Sequence, residues 1–407
     1  MSADPARYAF VPGSPVYPTI VDGDGVFLVT EDGHRILDGA AGAIVGNIGW
    51  GRTEVAEAAA AVMARGYVVP LWPTPSRLDL RDELVQHWLP EGFGHVFFTS
   101  GGSESTDSAI RLARAYQVAK GREQRWKVIG RHPSYHGMTT GTMAVASHSG
   151  RQKGYEPLLL PFPKVPWDDP EQVLKVIEQE DPATIAGFIA EPITGAAGAC
   201  LTASDEYWQV VSDACREHDI LLIADEVMTG YGRTGLKFGH QHFPFHPDVI
   251  VGGKGLGGGY VPMGAVAARD DVAEALRTSG FMYFTFTGND GACAASAKVL
   301  EIMRREQLVE RSATVGAHLG QRLRDTFAGH PAVTDIRGRG MFYGLELVGG
   351  RDAIIMAALE RDLWVYPAGS GPVPEAIMVA PPFVITEAEI EQLVTTLRQA
   401  IDAVHPG

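Results

Sequence analysis

The chain has 407 residues, of which 45% are apolar and 20% are charged. This length is sufficient for a large buried core and for more than one domain. Acidic residues outnumber basic ones by 49 to 34, and the net charge of −15 argues against binding to nucleic acid or to an anionic membrane surface. No run of the sequence approaches the ~20 apolar residues that a membrane-spanning helix needs.

The N-terminus and the cysteines bear on the cellular compartment. The first ten residues, MSADPARYAF, lack the apolar core of a signal peptide. Cys200, Cys215 and Cys293 show no metal-like spacing and are best explained as buried, reduced thiols. We therefore expect a cytoplasmic protein.

Short strands are predicted in the first 58 residues. The segments 26–28 and 35–37 alternate with Asp-Gly turns, a pattern typical of antiparallel strands. A Gly- and Ala-rich stretch at 39–51 follows, and a helix is predicted over 53–65.

From about residue 80 the sequence alternates between strand and helix patterns. Strands are predicted at 95–99, 127–130, 184–190, 220–224, 248–252 and 264–268, with helices at 104–119 and 205–218. This alternation indicates an α/β fold with a mainly parallel sheet covered by helices on both faces.

The pattern changes after about residue 290. Helices are predicted at 292–306, 313–327 and 387–404, strands near 344–347 and 377–379, and a Pro/Gly-rich loop at 367–374. These elements predict a smaller α+β domain, to which residues 1–58 return.

The stretch 220–254 places two reactive groups at strand ends. One apolar run ends in Asp225 and the next is followed by Gly253 and Lys254. Because ligands of open α/β sheets bind outside the carboxyl ends of the strands, we expect this carboxylate and this amine to lie at one rim. An amine can form a Schiff base, and a fixed anion can hold a protonated pyridine nitrogen, which together are what pyridoxal phosphate chemistry requires.

Two further motifs offer binding groups for such a cofactor. The segment Ser100-Gly101-Gly102-Ser103 lies between a predicted strand and a helix, where backbone amides can bind phosphate. Alone the motif is weak, because a Gly-Ser turn that caps a helix is usually just a turn. Tyr135, before His136 and Gly137, can stack on a planar ring, but a surface loop is the alternative. His136 has no partner at metal-ligand spacing.

The carboxylates and the lysine also have ordinary explanations. Glu191 and Asp225 can each be a helix cap or a member of an ion pair, and most lysines are solvated surface groups. Two carboxylates at neighbouring strand ends with a lysine at a third favour a shared site, because buried carboxylates need partners. A desolvated Lys254 would have a lowered pKa and would be nucleophilic.

The blocks LLIADEVMTGYGRTG and PDVIVGGKGLGGGYVPMGAV carry a family resemblance. Together with motifs along nearly the whole chain, they resemble the class III pyridoxal-phosphate aminotransferases, the omega-aminotransferase group of fold type I. The resemblance implies a large cofactor domain at 59–290 and a small domain made of 1–58 and 291–407. It also implies that Lys254 forms the Schiff base and shuttles the proton.

The resemblance assigns further roles by position. Asp225 is similar to the partner of the pyridine nitrogen, and Val227 to the residue beneath the ring. Thr285 resembles a threonine that reaches the phosphate of the neighbouring subunit's cofactor, which implies a homodimer with shared active sites. The remaining implied cofactor-binding residues are Tyr135, His136, Gly101, Gly102, Ser103 and Glu191.

Departures from the family concern the substrate. Met378 stands where many members have an arginine that grips a substrate carboxylate, and the loop 367–374 contains no arginine either. The expected substrate pocket is small and apolar, which favours an apolar amine tail. Its implied residues are Ala43, Ile44, Val45, Trp72 and Ala196.

These features predict a ping-pong transaminase that moves an amino group from an amine or omega-amino acid to an α-keto acid, with pyruvate as the expected acceptor. An amino-acid racemase or epimerase on the same fold would keep every cofactor residue and stays open as the alternative. A non-catalytic protein would have no need of Lys254 and Asp225 together. A nicotinamide or flavin enzyme is disfavoured because no G-x-G-x-x-G follows the first strand of a βαβ unit.

Overall fold

A computed structural model describes residues 17–66, 72–276 and 282–406. Its first part consists of short strands followed by helices. The strands are β1 (Ile20–Asp24), β2 (Phe27–Thr30) and β3 (Arg35–Asp38), and the helices are α1 (Ala41–Ile44), α2 (Thr53–Met63) and α3 (Pro75–His87). β2 pairs antiparallel with both β1 and β3, as the Asp-Gly turns predict.

The middle of the chain alternates between strands and helices. The strands are β4 (His95–Thr99), β5 (Lys127–His132), β6 (Lys164–Pro166), β7 (Ile185–Ala190), β8 (Leu221–Asp225), β9 (Val249–Gly252) and β10 (Gly264–Ala268). The helices are α4 (Gly102–Ala119), α5 (Thr140–Val145), α6 (Ser149–Gln152), α7 (Pro170–Gln179), α8 (Asp205–Glu217) and α9 (Asp270–Ala275).

These strands form one central sheet in the order β4-β10-β9-β8-β7-β5-β6. Its strands run parallel except β10, which is antiparallel to both of its neighbours. Every residue of β7, β8 and β9 is buried, as expected for apolar strands covered on both faces. The predicted mainly parallel α/β fold is confirmed.

The last part of the chain adds helices and two-residue to seven-residue strands. The helices are α10 (Asp290–Arg305), α11 (Leu308–Phe327), α12 (Arg351–Leu359) and α13 (Glu387–Val404). The strands are β11 (Val333–Arg339), β12 (Phe342–Leu347), β13 (Leu363–Trp364), β14 (Tyr366–Ser370) and β15 (Val373–Val379).

Two smaller sheets accompany the central one. One has the order β11-β12-β15-β14, and the other has the order β1-β2-β3-β13. In the second, β13 runs parallel to β3, so the two ends of the chain share a sheet. The division into 59–290 and a domain of 1–58 with 291–407 stays a prediction.

Two local predictions are wrong. The segment 367–374 is not a loop, because most of it forms the antiparallel hairpin of β14 and β15, with Gly371 at a φ of +61° in the turn. Pro367 is tolerated there because β14 is an edge strand. Helix α4 begins at Gly102 and not at residue 104, so Gly102 and Ser103 belong to its first turn.

No helix within the described ranges is both long enough and apolar enough to cross a membrane. The three cysteines are free thiols, and all three are buried. Burial raises the pKa of Cys293 to about 12, which makes this thiol a poor nucleophile.

Candidate active site

Three neighbouring strands deliver the principal polar residues to one edge of the central sheet. Asp225 is the last residue of β8, Glu191 directly follows β7, and Lys254 lies two residues after β9. Ala190 pairs with Ala224 and Asp225 pairs with Val251, so the ends of these strands are in register.

A cavity of about 130 Å³ opens at this edge. Its lining contains eight of the predicted cofactor residues together with two others, Gly137 and Met228. The lining residues are Gly102, Ser103, Tyr135, His136, Gly137, Glu191, Asp225, Val227, Met228 and Lys254.

The Asp225 carboxylate is buried and held by two donors. The Nδ1–H of His136 donates to its Oδ2 at 2.7 Å, and the backbone N–H of Val227 donates to its Oδ1 at 3.1 Å. His136 is also buried, and its Nε2 has no hydrogen-bond partner among the described residues. The pair explains how an anion is kept beneath the cavity, since an unpartnered buried carboxylate would be costly.

Glu191 connects the cavity wall to the aromatic loop. Its carboxyl oxygens accept hydrogen bonds from the backbone N–H of Tyr135 at 3.0 Å and from that of Gly195 at 2.9 Å. Burial raises the pKa of Glu191, while the nearby His136 opposes this rise. Glu191 thereby fixes the loop that carries Tyr135.

Arg131, the next-to-last residue of β5, was not found by sequence reasoning. It lies in β5, is fully buried, and donates to the carbonyl oxygens of Glu191 at 2.8 Å and Trp167 at 2.9 Å. Its guanidinium carbon lies 4.8 Å from the centroid of the Trp208 ring. Arginine at the end of a strand carries no local signal of such a role.

Lys254 occupies an unusual backbone conformation. Its φ is +43°, which is uncommon for a residue with a side chain and often marks a functional position. A β-carbon on the preceding Gly253 would lie 3.3 Å from both Gly102 Cα and Val227 Cγ1, so the chain passes close to the cavity floor.

The environment of Lys254 favours the neutral amine. Burial lowers its pKa, whereas the negative charges of Asp225 and Glu191 act in the opposite direction. The positive charge of Arg151 reinforces the lowering. A neutral amine is the nucleophilic form, so this lysine is suited to attack a carbonyl carbon.

The N-terminus of α4 forms the other end of the cavity. Gly101 precedes the first helical residue, Gly102, and the helix dipole favours an anion at this position. The Ser103 hydroxyl accepts a hydrogen bond from the backbone N–H of Met138 at 3.1 Å. Gly137 has a φ of +129°, and a β-carbon on it would lie 2.6 Å from Ser103 Oγ, so only glycine fits here without displacing the serine.

The residues expected to form the substrate pocket differ in their burial. Ile44 and Ala196 are buried in one apolar cluster with the cavity residue Met228, and Val45 is half-buried. Ala43 is exposed, and Trp72 is 69% exposed. None of the five residues is among those that line the cavity of its own chain.

Two other positions that the sequence analysis singled out are also absent from the cavity lining. Thr285 lies in an exposed turn and is not among the residues that line the cavity of its own chain. Met378, at the position of the family arginine, is fully buried in β15 and belongs to the same apolar cluster as Ile44 and Ala196. The described residues contain no group of three or more His, Cys, Asp or Glu side chains that would hold a metal ion.

The fold, with a lysine and a carboxylate at neighbouring strand ends, is that of a transferase. The family is shown by comparison of the sequence with known families. Residues 10–401 match the family described as aminotransferase class-III, so the chain belongs to the class III aminotransferases. The family resemblance stated from the sequence is therefore confirmed.

Individual relatives support this membership. The chain is 35% identical to acetylornithine aminotransferase of Aquifex aeolicus, over 94% of this chain and 96% of that protein. It is 33% identical to putrescine–pyruvate aminotransferase of Pseudomonas aeruginosa, over 94% of this chain and 90% of the other.

Solved structures show the same fold. An (S)-enantioselective omega-transaminase from Thermomicrobium roseum superposes with a TM-score of 0.90 and 32% identity, covering 97% of this chain and 96% of that one. A Bacillus anthracis aminotransferase also gives a TM-score of 0.90, with 33% identity over 97% of this chain and 95% of the other. The protein is thus an enzyme of the aminotransferase type with the fold type I architecture.

Proposed function

We propose that this aminotransferase uses pyridoxal phosphate and moves an amino group from an amine or omega-amino acid to an α-keto acid, with pyruvate as the acceptor. The observation that carries the proposal is the convergence of Lys254, Asp225 and the N-terminus of α4 on one cavity. An amine, an anion and a phosphate-binding helix end are the three groups that this cofactor needs.

The residues present fit that cofactor. Glycine at 137 leaves space beside Ser103 that a β-carbon would fill, and Gly102 leaves space beside Val227 in the same way. The Asp225 carboxylate would hold a protonated ring nitrogen, Tyr135 and Val227 would contact the ring, and Gly102 and Ser103 would bind the phosphate. When bound, the cofactor supplies an electron-withdrawing ring that takes up the electrons released at the substrate carbon.

Lys254 would perform the proton transfer. Its neutral amine would remove the proton from the substrate carbon that bears the nitrogen, and the same Nζ would deliver that proton at the next step. The lowered pKa of Lys254 increases the share of its neutral form, which is the form that accepts a proton. His136 would keep Asp225 in place, and Glu191 would keep the Tyr135 loop in place.

The choice of substrates is supported by the apolar wall and by a relative. The cluster of Ile44, Ala196, Met228 and Met378 offers no charge to an amine tail. A relative 33% identical to this chain is named putrescine–pyruvate aminotransferase, which favours a primary amine as donor and pyruvate as acceptor.

We also propose a homodimer in which each subunit completes the other's site. The large apolar side chains of Met63, Trp72 and Phe286 are 67%, 69% and 59% exposed. Met63 and Phe286 line a second cavity together with Thr99 and Ser100, next to the phosphate-binding turn. A second copy covering this surface would bring Thr285 and Trp72 towards the neighbouring site.

The cytoplasmic location stays a prediction.

A panel of amine donors with pyruvate tests the activity. The purified enzyme, loaded with pyridoxal phosphate, should form alanine from pyruvate only when an amine donor is added. Measuring optical rotation of single amino-acid enantiomers in the same preparations separates this reaction from racemisation. Loss of rotation without any alanine formation would favour the racemase alternative, and no reaction in either assay would refute the proposed function.

Light scattering after gel filtration tests the assembly. The expected result is a particle of twice the 43.7 kDa chain mass. A monomer that is fully active would contradict the shared active site.

A further inference from the structure

One buried ion pair joins the two exposed segments that carry Trp72 and Thr285. Arg77 is the third residue of α3, and Asp290 is the first residue of α10. Arg77 Nη2 lies 3.8 Å from Asp290 Oδ2, and the two side chains are only 12% and 6% exposed. The pair therefore lies between the two segments that are proposed to reach the neighbouring site.

The Arg77 guanidinium binds the backbone of both segments. Its Nε donates to the Gly288 carbonyl oxygen and its Nη1 donates to the Trp72 carbonyl oxygen, each at 2.6 Å. Gly288 has a φ of +58°, and a β-carbon on it would lie 3.0 Å from Arg77 Nε, so the turn packs directly against the guanidinium. The fixed fork of a guanidinium can hold two carbonyls and a carboxylate together, whereas a lysine ammonium lacks this geometry.

Asp290 supplies a second link between the same segments. The Thr74 hydroxyl, two residues after Trp72, donates to Asp290 Oδ1. Helix α10 is capped by the preceding residue, since the Asn289 side chain accepts from a backbone N–H of the first helical turn at 3.1 Å. Capping therefore does not account for the carboxylate at position 290, which contacts Thr74 and Arg77.

The turn that carries Thr285 is closed by its own hydrogen bonds. Thr287 Oγ1 accepts from the backbone N–H of Phe284 at 3.0 Å, and the Thr287 N–H donates to the Phe284 carbonyl at 2.9 Å. Thr285 lies inside this closed turn, and Arg77 binds the turn from outside at Gly288. Fixing Gly288 thus also fixes the backbone of Thr285.

Stability alone does not explain such a pair. The cost of removing two charges from water can equal or exceed their attraction, so the best-attested use of a buried ion pair is to fix one arrangement of the elements that it joins. Trp72 and Thr285 are not among the residues that line the cavity of their own chain. Their fixed arrangement is therefore expected to serve a partner that covers this surface.

We propose that Arg77 and Asp290 are positioning residues for the active site of the neighbouring subunit, because they hold Thr285 and Trp72 as one rigid unit. This inference rests on the proposed pyridoxal phosphate function and on the proposed homodimer. It names the contacts that prepare the surface of one subunit for the cofactor of the other. The Thr285 hydroxyl then meets the cofactor phosphate without first having to be ordered, which favours binding.

The first test compares a cofactor that has its phosphate with one that lacks it. The apoenzyme of Arg77→Met is titrated with pyridoxal phosphate and with pyridoxal, and binding is followed by the visible absorbance of the bound compound. The dissociation constant of pyridoxal phosphate should rise about 10-fold, which corresponds to one misplaced hydrogen bond to a charged group, and that of pyridoxal should not change. Asp290→Asn should show the same phosphate-dependent loss. Arg81→Met, which removes a half-exposed arginine from the same helix, is the control and should bind both compounds normally.

The second test determines which subunit the pair serves. Heterodimers are purified from co-expressed chains with different affinity tags, and each contains one chain with Lys254→Ala, so that only one site can bond the cofactor. When Arg77→Met is on the chain that keeps Lys254, this site should bind pyridoxal phosphate with wild-type affinity. When Arg77→Met and Lys254→Ala are on the same chain, the site of the other, unaltered chain should show the loss.

The reverse pattern, with the loss confined to the heterodimer in which Arg77→Met and Lys254 share a chain, would overturn the proposal. Equal losses for pyridoxal phosphate and pyridoxal, or no loss for either, would also overturn it. If Arg77→Met does not fold, Asp290→Asn takes its place in both heterodimers. A wild type that is monomeric would refute the shared site, and the proposal with it, while the transaminase reaction stands. A wild type that does not bind pyridoxal phosphate would refute the proposed function itself.

Discussion

Replacing Asp225 by Asn tests the role of the buried anion. The substitution keeps the size of the side chain but removes its charge, while the Nδ1–H of His136 still points at it from 2.7 Å. The amide can accept from His136 or from the Val227 N–H, but its NH2 group then faces a donor. A hydrogen bond to a charged group contributes about 1.5–3 kcal/mol, which corresponds to a rate loss of roughly 10-fold to 150-fold.

The assay is a single-turnover reaction of the cofactor-loaded enzyme with an amine donor, followed by the visible absorbance of the bound cofactor. Asp225→Asn should slow the half-reaction by that factor while the thermal midpoint stays near that of the wild type. Asp213→Asn, a half-exposed carboxylate on α8, is the matched control and should react normally. A wild-type rate for Asp225→Asn at full cofactor occupancy would refute the reasoning.

Two further substitutions test the phosphate-binding turn and a buried carboxyl group. Gly137→Ala should weaken cofactor binding, because the new β-carbon would collide with Ser103 Oγ. Gly154→Ala is the control, since Gly154 also has a positive φ but its β-carbon would meet no other atom, and it should leave cofactor binding unchanged. Equal losses of affinity for the two variants in a cofactor titration would contradict this prediction. Burial raises the pKa of Asp38 from 3.8 to about 6, so the folded chain keeps a proton that the unfolded chain loses. The free energy of unfolding should therefore fall by about 3 kcal/mol as the pH rises from about 4 to about 7. Urea titrations at several pH values should show that Asp38→Asn loses this pH dependence of the unfolding free energy, and that Asp22→Asn, at an exposed position, keeps it. An unchanged pH dependence in Asp38→Asn would show that another group causes it.

The strand pattern was sufficient to predict most of the central sheet. β4 and β10 have the predicted bounds, as does the closing helix α13. These segments are apolar runs, or amphipathic runs with clear ends, so local sequence determines them. The hairpin of β14 and β15 was missed because its prolines and glycines are typical of loops, and only its pairing with β12 and burial in the small sheet make it a hairpin.

The candidate site was predictable where strand ends carry it. Asp225, Glu191 and Lys254 follow buried strands, and the register of a parallel sheet brings such ends together. Arg131 and Met228 could not be predicted, because their roles depend on contacts between segments that are distant in sequence. Arg151 lies in a four-residue helix, and no local pattern indicates that it faces Tyr135.

The surface positions are predictable from the sequence only through the resemblance. Thr285 and Trp72 are exposed in the single chain, and their proposed roles depend on a second copy. A single chain determines neither the contact nor its partner, so these two residues depend on the assembly measurement.

The central claim is that Lys254 is the amine that holds the cofactor. The direct measurement is to load the protein with pyridoxal phosphate, reduce it with borohydride, digest it and locate the added cofactor mass by mass spectrometry. The mass should be found on the peptide that contains Lys254 and should be absent from Lys254→Ala. Its presence on another lysine, or on none, would contradict the account.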